Sequence, residues 1–547
     1  MASRDHAYEG GKTAVLDEAH IGDIRGALGT ISVGDTGARR SFLARLLTLA
    51  AIVGPGLIVM VGDNDAGGVA TYAQAGQNFG LTLLWTLPLL IPVLVVNQEM
   101  VVRLGAVTGV GHARLINERF GRFWGAFSVG DLFVLNFLTI VTEFIGISLA
   151  LGYFGVSPYI SVPVAATGLV AMTTSGSFRR WERFMLLFVV ANFLVIPLVI
   201  FSHPHPGPVL HGLFIPGVQG GVSSTAVLLI IAIVGTTVAP WQLFFQQSNI
   251  VDKRITPRWI NYERTDTVLG SLVTVFAATL IVATAAFAFA HTPLAGHFTN
   301  AAGVARGLEH YLGNSAGTLF SIVLLNASII GAAAVTLATS YAFGDMFSMK
   351  HSLHRRVTDA KAFYATFSVL VFVAAGVVLI PRAPLGLITM AVQALAGVLL
   401  PSATVFLVLL CNDHEVLGPW VNRLWLNVVA GLIVSVLVAL SLILMVTTVF
   451  PHINVMFVVL LLGAVLVVGG LLAAFFGWRA GLRREAPEGP RATRSQRENW
   501  RMPPLTLLAQ PVLSRGRRVT MVAMWGYLFV AVSLLVVKAI QLGIGSH

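Results

Sequence analysis

Charge is what this sequence has least of. Asp, Glu, Lys and Arg make up 11% of its 547 residues, against 56% apolar ones, and the mean hydropathy is +0.82. That balance excludes a soluble globular domain. The chain is built of apolar runs near 20 residues, the length that crosses roughly 30 Å of hydrocarbon. Cysteine is nearly absent. The single Cys411 lies in an apolar run, which leaves no disulfide framework and no cysteine metal site; it reads as a small buried apolar side chain. No phosphate loop of the G-x-x-x-x-G-K-[ST] type occurs, so neither ATP-driven pumping nor an enzyme is supported. No apolar core stands near the start, so no signal peptide is read there. Residues 1–43 are expected to form a loose cytoplasmic tail.

The formal charge of +11 is not read as a nucleic-acid footprint. It follows topology, because Lys and Arg collect on the cytoplasmic side of membrane proteins. Apolar runs predict thirteen spans, at 44–79, 81–102, 124–153, 158–175, 183–201, 222–250, 264–290, 315–347, 357–381, 386–411, 424–449, 453–476 and 519–541. With the N-terminus in the cytoplasm, the loops after the even-numbered spans hold Arg103 and Arg114, then Arg179 and Arg180, then Lys253 and Arg254, then Arg355 and Arg356. The opposite side shows little beyond Arg306 and Arg382. The segment 477–518 carries ten arginines and reads as a basic cytoplasmic linker near anionic headgroups. The outward stretch "SHPHPGPVLHG", with His203, His205 and His211, reads as a solvated Pro-rich loop. The lipid bilayer, in a bacterial inner membrane, is the expected setting.

What is there, against this apolar background, is "GPGLIVMVGDNDAGGVATYAQAG" at 54–76, where Asp63, Asn64 and Asp65 interrupt a membrane run. The sixth span, "STAVLLIIAIVGTTVAPWQLFFQQS", is interrupted at Gly235-Thr236-Thr237 and Pro240. Proline removes a backbone donor and clashes with the preceding turn. Freed backbone groups at membrane depth are tolerated only where they are buried in protein or line a cavity. Broken segments five spans apart are the mark of inverted five-helix repeats, with the binding site at the breaks. The expected fold is therefore an all-α polytopic membrane protein, LeuT-like, with repeats at 44–201 and 222–411, discontinuous spans one and six, and additional spans at 424–476 and 519–541. An Asp at mid-bilayer costs roughly 2.5–3.5 kcal/mol, so two of them call for a cation. Asp and Asn oxygens with freed carbonyls are hard ligands, suited to Mg²⁺, Ca²⁺ or Mn²⁺.

These residues resemble the NRAMP family of divalent-metal transporters over roughly residues 50 to 411. The first-span frame GP…DPGN-VA…AG is kept without gaps: Asp65 falls on the family Asp, Ala66 on Pro, Gly67 on Gly and Gly68 on the metal-binding Asn. "RLGAVTG" is similar to the family's LG-x-VTG. "TEFIGISLAL" puts Glu143 on a Glu that the family uses in proton handling, and "QALAGVLLP" puts Gln393 at the spacing of a Gln near the metal. Against the sixth-span motif A-x-x-MPH, Thr236 stands on the carbonyl-donating Ala and Ala239 on the Met. Trp241 and Gln246 occupy two His positions, and Ile140 replaces the proton-route Asp.

The resemblance implies a metal site of Asp65, Asp63, Asn64, Thr236, Gln393 and the cavity left by Ala239. Gly68 can serve only through its backbone, Trp241 lines a vestibule or packs, and Glu143 supports the core. Loss of the thioether removes a preference for soft metals, so the pattern is similar to the divergent NRAMP-related magnesium transporters. It implies uncoupled uptake of partly hydrated Mg²⁺, possible also for Mn²⁺, with no cofactor. A dication moving inward gains about 2 × 2.3 kcal/mol per 100 mV. The alternatives are a proton-coupled Mn²⁺/Fe²⁺ transporter, a carrier of an organic cation, and a membrane sensor. The last would need a large cytoplasmic output domain.

Overall fold

The computed structural model describes residues 17–381, 383–450, 453–481, 493–508, 521–527, 529–530 and 533. Arg382, much of the basic linker and most of the expected thirteenth span lie outside the described residues. The structure is helical; among the described residues the one sheet is a two-residue antiparallel pair, β1 (Ile24–Arg25) with β2 (Thr30–Ile31).

The first membrane segment comes in three pieces, α1 (Phe42–Ile52), α2 (Pro55–Val61) and α3 (Ala66–Phe79). There follow α4 (Thr86–Thr108), the short α5 (His112–Phe120), α6 (Arg122–Tyr153), α7 (Pro158–Thr173), and α8 (Phe178–Ala191), which runs on through a turn into α9 (Val195–Phe201). After α10 (Pro206–Phe214), the sixth segment is α11 (Ser224–Thr237) with α12 (Pro240–Asp252). Then come α13 (Ile260–Phe289), α14 (Ala301–Leu312), α15 (Asn314–Met346), α16 (Lys361–Val378), α17 (Leu385–Cys411), the one-turn α18 (His414–Leu417), α19 (Leu424–Val449), α20 (Val455–Gly481) and α21 (Arg494–Asn499).

Ten of these stretches are long and apolar enough to cross a membrane, eleven with the bent first segment, and α7 is a shorter apolar helix. This is a multi-pass membrane protein with the expected LeuT-like arrangement and interruptions in its first and sixth spans. The broken spans sit at the centre. Nearly every residue of α2, α3 and α12 is buried, whereas α19 and α20 expose long apolar faces (Leu432, Leu460, Val467 and Leu471 among them) of the kind lipid covers.

Two expectations need correction. The first span is not one helix with one break. It is bent by 56° between α1 and α2. Pro55 opens α2, where a missing N–H does no harm, and Gly54 before it has φ +155, with a Cβ there falling 2.1 Å from Glu182 Oε1. Nor is the N-terminal segment loose from residue 17 onward. Asp17 caps a turn and pairs with Arg355, Ala27 N donates to Glu182 Oε2 at 2.5 Å, and Arg254 reaches the Ala19 carbonyl. Ile24, Ala27 and Ile31 are buried. Burial pushes the Asp17 carboxyl up, but the Arg355 hydrogen bond, the Ala19 N–H and the charges of His20 and Arg355 together outweigh it, and the net shift is downward. A few apolar side chains in a polar stretch were enough to fasten it.

Candidate functional site

The break between α2 and α3 is held open by carboxylates. In a continuous helix the N–H of Ala66 would meet the Gly62 carbonyl, and that of Gly68 would meet the carbonyl of Asn64. Instead Ala66 N donates to Glu143 Oε2 at 3.1 Å, and Gly68 N to Asp65 Oδ1 at 2.6 Å. Asp65 is thus the N-cap of α3, the position where a carboxylate best meets orphan donors and the helix dipole. Those carbonyls lose their helical partners. In the sixth span the N–H due to the Thr236 carbonyl would come from residue 240, which is Pro240. The one due to Gly235 belongs to Ala239 and goes to Gln242 Oε1 at 3.1 Å. Both broken spans therefore carry freed carbonyls.

The two breaks are tied together. Thr237 Oγ1 donates to the Ile233 carbonyl at 2.6 Å and accepts from Tyr72 of α3 at 2.7 Å. A Cβ on Gly68 would come 2.7 Å from the Asp63 carbonyl and 3.1 Å from Thr236 Oγ1, so the Thr236 hydroxyl faces the start of α3. A Cβ on Gly67 would lie 1.7 Å from Gln393 Nε2: the Gln393 amide occupies the space that only glycine leaves.

The structure therefore brings Asp63, Asp65, Thr236, Gln393 and Glu143 to one locus between α3, α6, α11 and α17. Asp63 is fully buried, and neither of its oxygens has a hydrogen-bond partner. Thr236 Oγ1, Gln393 Nε2, Glu143 Oε1 and Asn64 Oδ1 are likewise buried without partners. Among the described residues no ion pair involves Asp63, Asp65 or Glu143.

The remaining candidates divide. Asn64 is not a helix cap: its Nδ2 donates to the Thr274 carbonyl of α13 at 3.1 Å, and its Oδ1 is left without a partner. Ala239 is the N-cap of α12 and offers no side-chain ligand. Gly68 contributes its N–H, to Asp65. Trp241 packs against the break, 3.2 Å from where a Cβ on Gly62 would sit. Gln246 binds Thr267 at 2.9 Å. Asp131, Asn136 and Asn326 join helices elsewhere, to Ser402, Thr339 and the Phe188 carbonyl. Sequence reasoning missed Tyr72 and Thr237, for which spacing held no signal. It also missed a second buried cluster at the α1–α2 kink. Lys253 Nζ binds Glu182 Oε1 at 2.6 Å and the Ile52 and Val53 carbonyls, while Asp266 Oδ2 accepts from Gly54 N and Gly56 N. Only the buried setting of those charges, invisible in the sequence, marks it.

Among the described residues no three His, Cys, Asp or Glu side chains are grouped so as to hold a metal ion by themselves. The central locus instead gathers the carboxylates of Asp63, Asp65 and Glu143 beside amide, hydroxyl and carbonyl groups.

A bundle with two interrupted spans meeting at buried acidic and carbonyl oxygens defines the class of membrane carriers built around broken helices. The comparisons narrow it: residues 56–447 match the family described as Nramp, Natural resistance-associated macrophage protein-like, and the chain belongs to that family. It is 28% identical to the divalent metal cation transporter MntH of Klebsiella pneumoniae over 409 residues, covering 72% of this chain and 92% of that protein. It is 30% identical to the MntH of Xylella fastidiosa, covering 78% and 89%, and 26% identical to that of Bacillus subtilis, covering 82% and 100%. Among solved structures, the Eremococcus coleocola manganese transporter superposes with a TM-score of 0.59 at 19% identity, covering 82% of this chain and 98% of that one.

Proposed function

We propose that this protein moves a divalent cation across the membrane by alternating access, with partly hydrated Mg²⁺ as preferred cargo and Mn²⁺ second, and without an obligatory proton partner. The observation that carries the reading is Asp63: a buried carboxylate at the junction of two broken spans, with no partner for either oxygen. An unpaired buried charge is costly, and a mobile dication is the compensation that leaves a vacated site ready to reload. In this reading Asp63, Asp65, the Asn64 Oδ1, the Gln393 amide oxygen and the Thr236 carbonyl are donors.

The choice of Mg²⁺ rests on donor chemistry. All these donors are hard oxygens. Ala239 stands at the head of α12 where the family has a thioether, and the sulfur of Met60, near the first break, accepts from Ser271 at 3.6 Å. Mg²⁺ keeps several waters and needs only one or two carboxylates. Independence from protons is supported by Ile140, Trp241 and Gln246 at the family's titratable positions, and by Glu143 being engaged with Ala66 N. The arginine-rich ends are read as cytoplasmic, which sets uptake down the membrane potential.

A proton-coupled Mn²⁺ carrier is the second reading; the free Glu143 Oε1 and the manganese transporter among its structural neighbours favour it. Liposomes holding the purified protein, a luminal pH dye and a panel of Mg²⁺, Mn²⁺ and Ca²⁺ separate the two. Saturable Mg²⁺ entry at constant luminal pH is expected. Acidification in step with metal entry would overturn the uncoupled reading, and Mn²⁺ entry without Mg²⁺ would overturn the preference.

A further inference from the structure

We propose that the arginine-rich end of the molecule holds a second site, for a phosphate-bearing anion, in a cavity that neither broken span lines. The cavity measures about 670 Å³ and lies between the end of α4, the turn before α13, the start of α19 and α21. Its size is that of a small-molecule pocket. Arg103, Arg258, Arg264, Arg423, Arg494 and Arg497 line it.

Among the described lining residues the only carboxylates are Glu99 and Glu498, and both are already engaged. Glu99 accepts from Arg103 at 3.0 Å and from Arg264 at 2.5 Å, and Glu498 accepts from Arg494 at 2.7 Å. Three cations remain. Arg423 is exposed, and its guanidinium has no hydrogen bond or ion pair among the described residues. Arg258 gives one hydrogen bond, to the Gly37 carbonyl at 3.2 Å. Arg497 lies 4.3 Å over the Trp420 ring, and its Nε is buried without an acceptor.

Guanidinium forks crowded around a hollow repel one another, and they match phosphate oxygens two at a time. The same crowding rejects a cation, so this is not a waiting room for the cargo. Trp425, 60% exposed at the rim, places the mouth at the level where indoles meet lipid headgroups. A phospholipid headgroup and a free phosphate anion share the chemistry recognised here.

Occupancy would fasten the basic linker. Trp420 Nε1 already binds the Arg497 carbonyl at 2.9 Å, and Met502 N reaches the Val107 carbonyl at 3.4 Å. An anion would add a joint from α21 to α4 and to α13, the helix packed against both halves of the broken first span.

The test uses the full chain. Native mass spectrometry from micelles holding equal phosphatidylglycerol and phosphatidylcholine reads lipid retention, and thermal unfolding with inorganic pyrophosphate reads the soluble source. Preferential retention of phosphatidylglycerol is expected, or else a rise in melting temperature with pyrophosphate that also displaces the lipid. Either is expected to weaken about tenfold for each arginine removed in Arg423→Gln with Arg497→Gln. Should the double variant fail to fold, Arg423→Gln alone, on an exposed loop residue, gives the answer. The proposal is overturned if neither probe binds, or if the folded variant binds both as well as the unaltered protein does.

Discussion

The first span is interrupted twice, and the two interruptions are treated oppositely. At residues 53–54 the chain supplies its own ions. Lys253 meets the last carbonyls of α1, Asp266 meets the first N–H groups of α2, and Glu182 neutralises Lys253. A cation at a helix C-terminus and a carboxylate at an N-terminus are the stabilising signs at each end. At residues 62–65 the N-terminus of α3 is met by Asp65 and Glu143, yet among the described residues no Lys or Arg bonds to the break, and Asp63 is left bare. A joint closed by protein charges is a hinge or a brace. A joint with no protein cation is where the proposed cargo would sit.

That contrast can be broken at several points. The largest expected effect is Lys253→Met, which strands Glu182 and Asp266 in the interior. It is expected to lower stability by about 3–5 kcal/mol in chemical unfolding of the solubilised protein, with partial recovery when Glu182→Leu is added. A loss under 1 kcal/mol would mean the kink is not held by its ions. Next is Asp65→Asn. Asparagine caps a helix as well as aspartate, so the melting temperature is expected to hold while Mg²⁺ flux in liposomes drops more than about 100-fold, beyond what supporting residues of metal sites usually cost. Flux that survives would remove Asp65 from the cargo's path.

Gly54→Ala is expected to cost about 1–3 kcal/mol, because the added methyl runs into Glu182 and the backbone there suits glycine; flux per folded molecule should change little. The smallest effect is in selectivity. Ala239→Met should move the Mn²⁺-to-Mg²⁺ flux ratio toward Mn²⁺ by about tenfold, a shift near 1.4 kcal/mol. An unchanged ratio would mean that the side chain at the head of α12 does not meet the ion.

The break at Asp63–Asp65 could be read from the sequence because carboxylates in an apolar run have no other excuse. The kink at Gly54-Pro55 was written just as plainly. Hydropathy does not reveal it, because it averages along a run and reports length, not direction. Its partners, Glu182, Lys253 and Asp266, stand more than a hundred residues away in or beside other helices, and in the sequence Lys253 is indistinguishable from a topology charge. Asn64 shows the reverse limit. Its place in the triplet suggested a ligand, and only the fold shows that a carbonyl of α13 holds its amide nitrogen while its oxygen has no partner.

By itself the sequence determined that the chain crosses the membrane many times, and where its first and sixth spans must come apart. Both follow from local chemistry: the length of apolar runs, a proline without an N–H, a carboxylate that cannot face lipid. Only the tertiary structure decided which buried charges are answered and which are not. That depends on which helix comes to lie beside which, and a buried ion is stabilised or stranded by neighbours that the order of residues does not name.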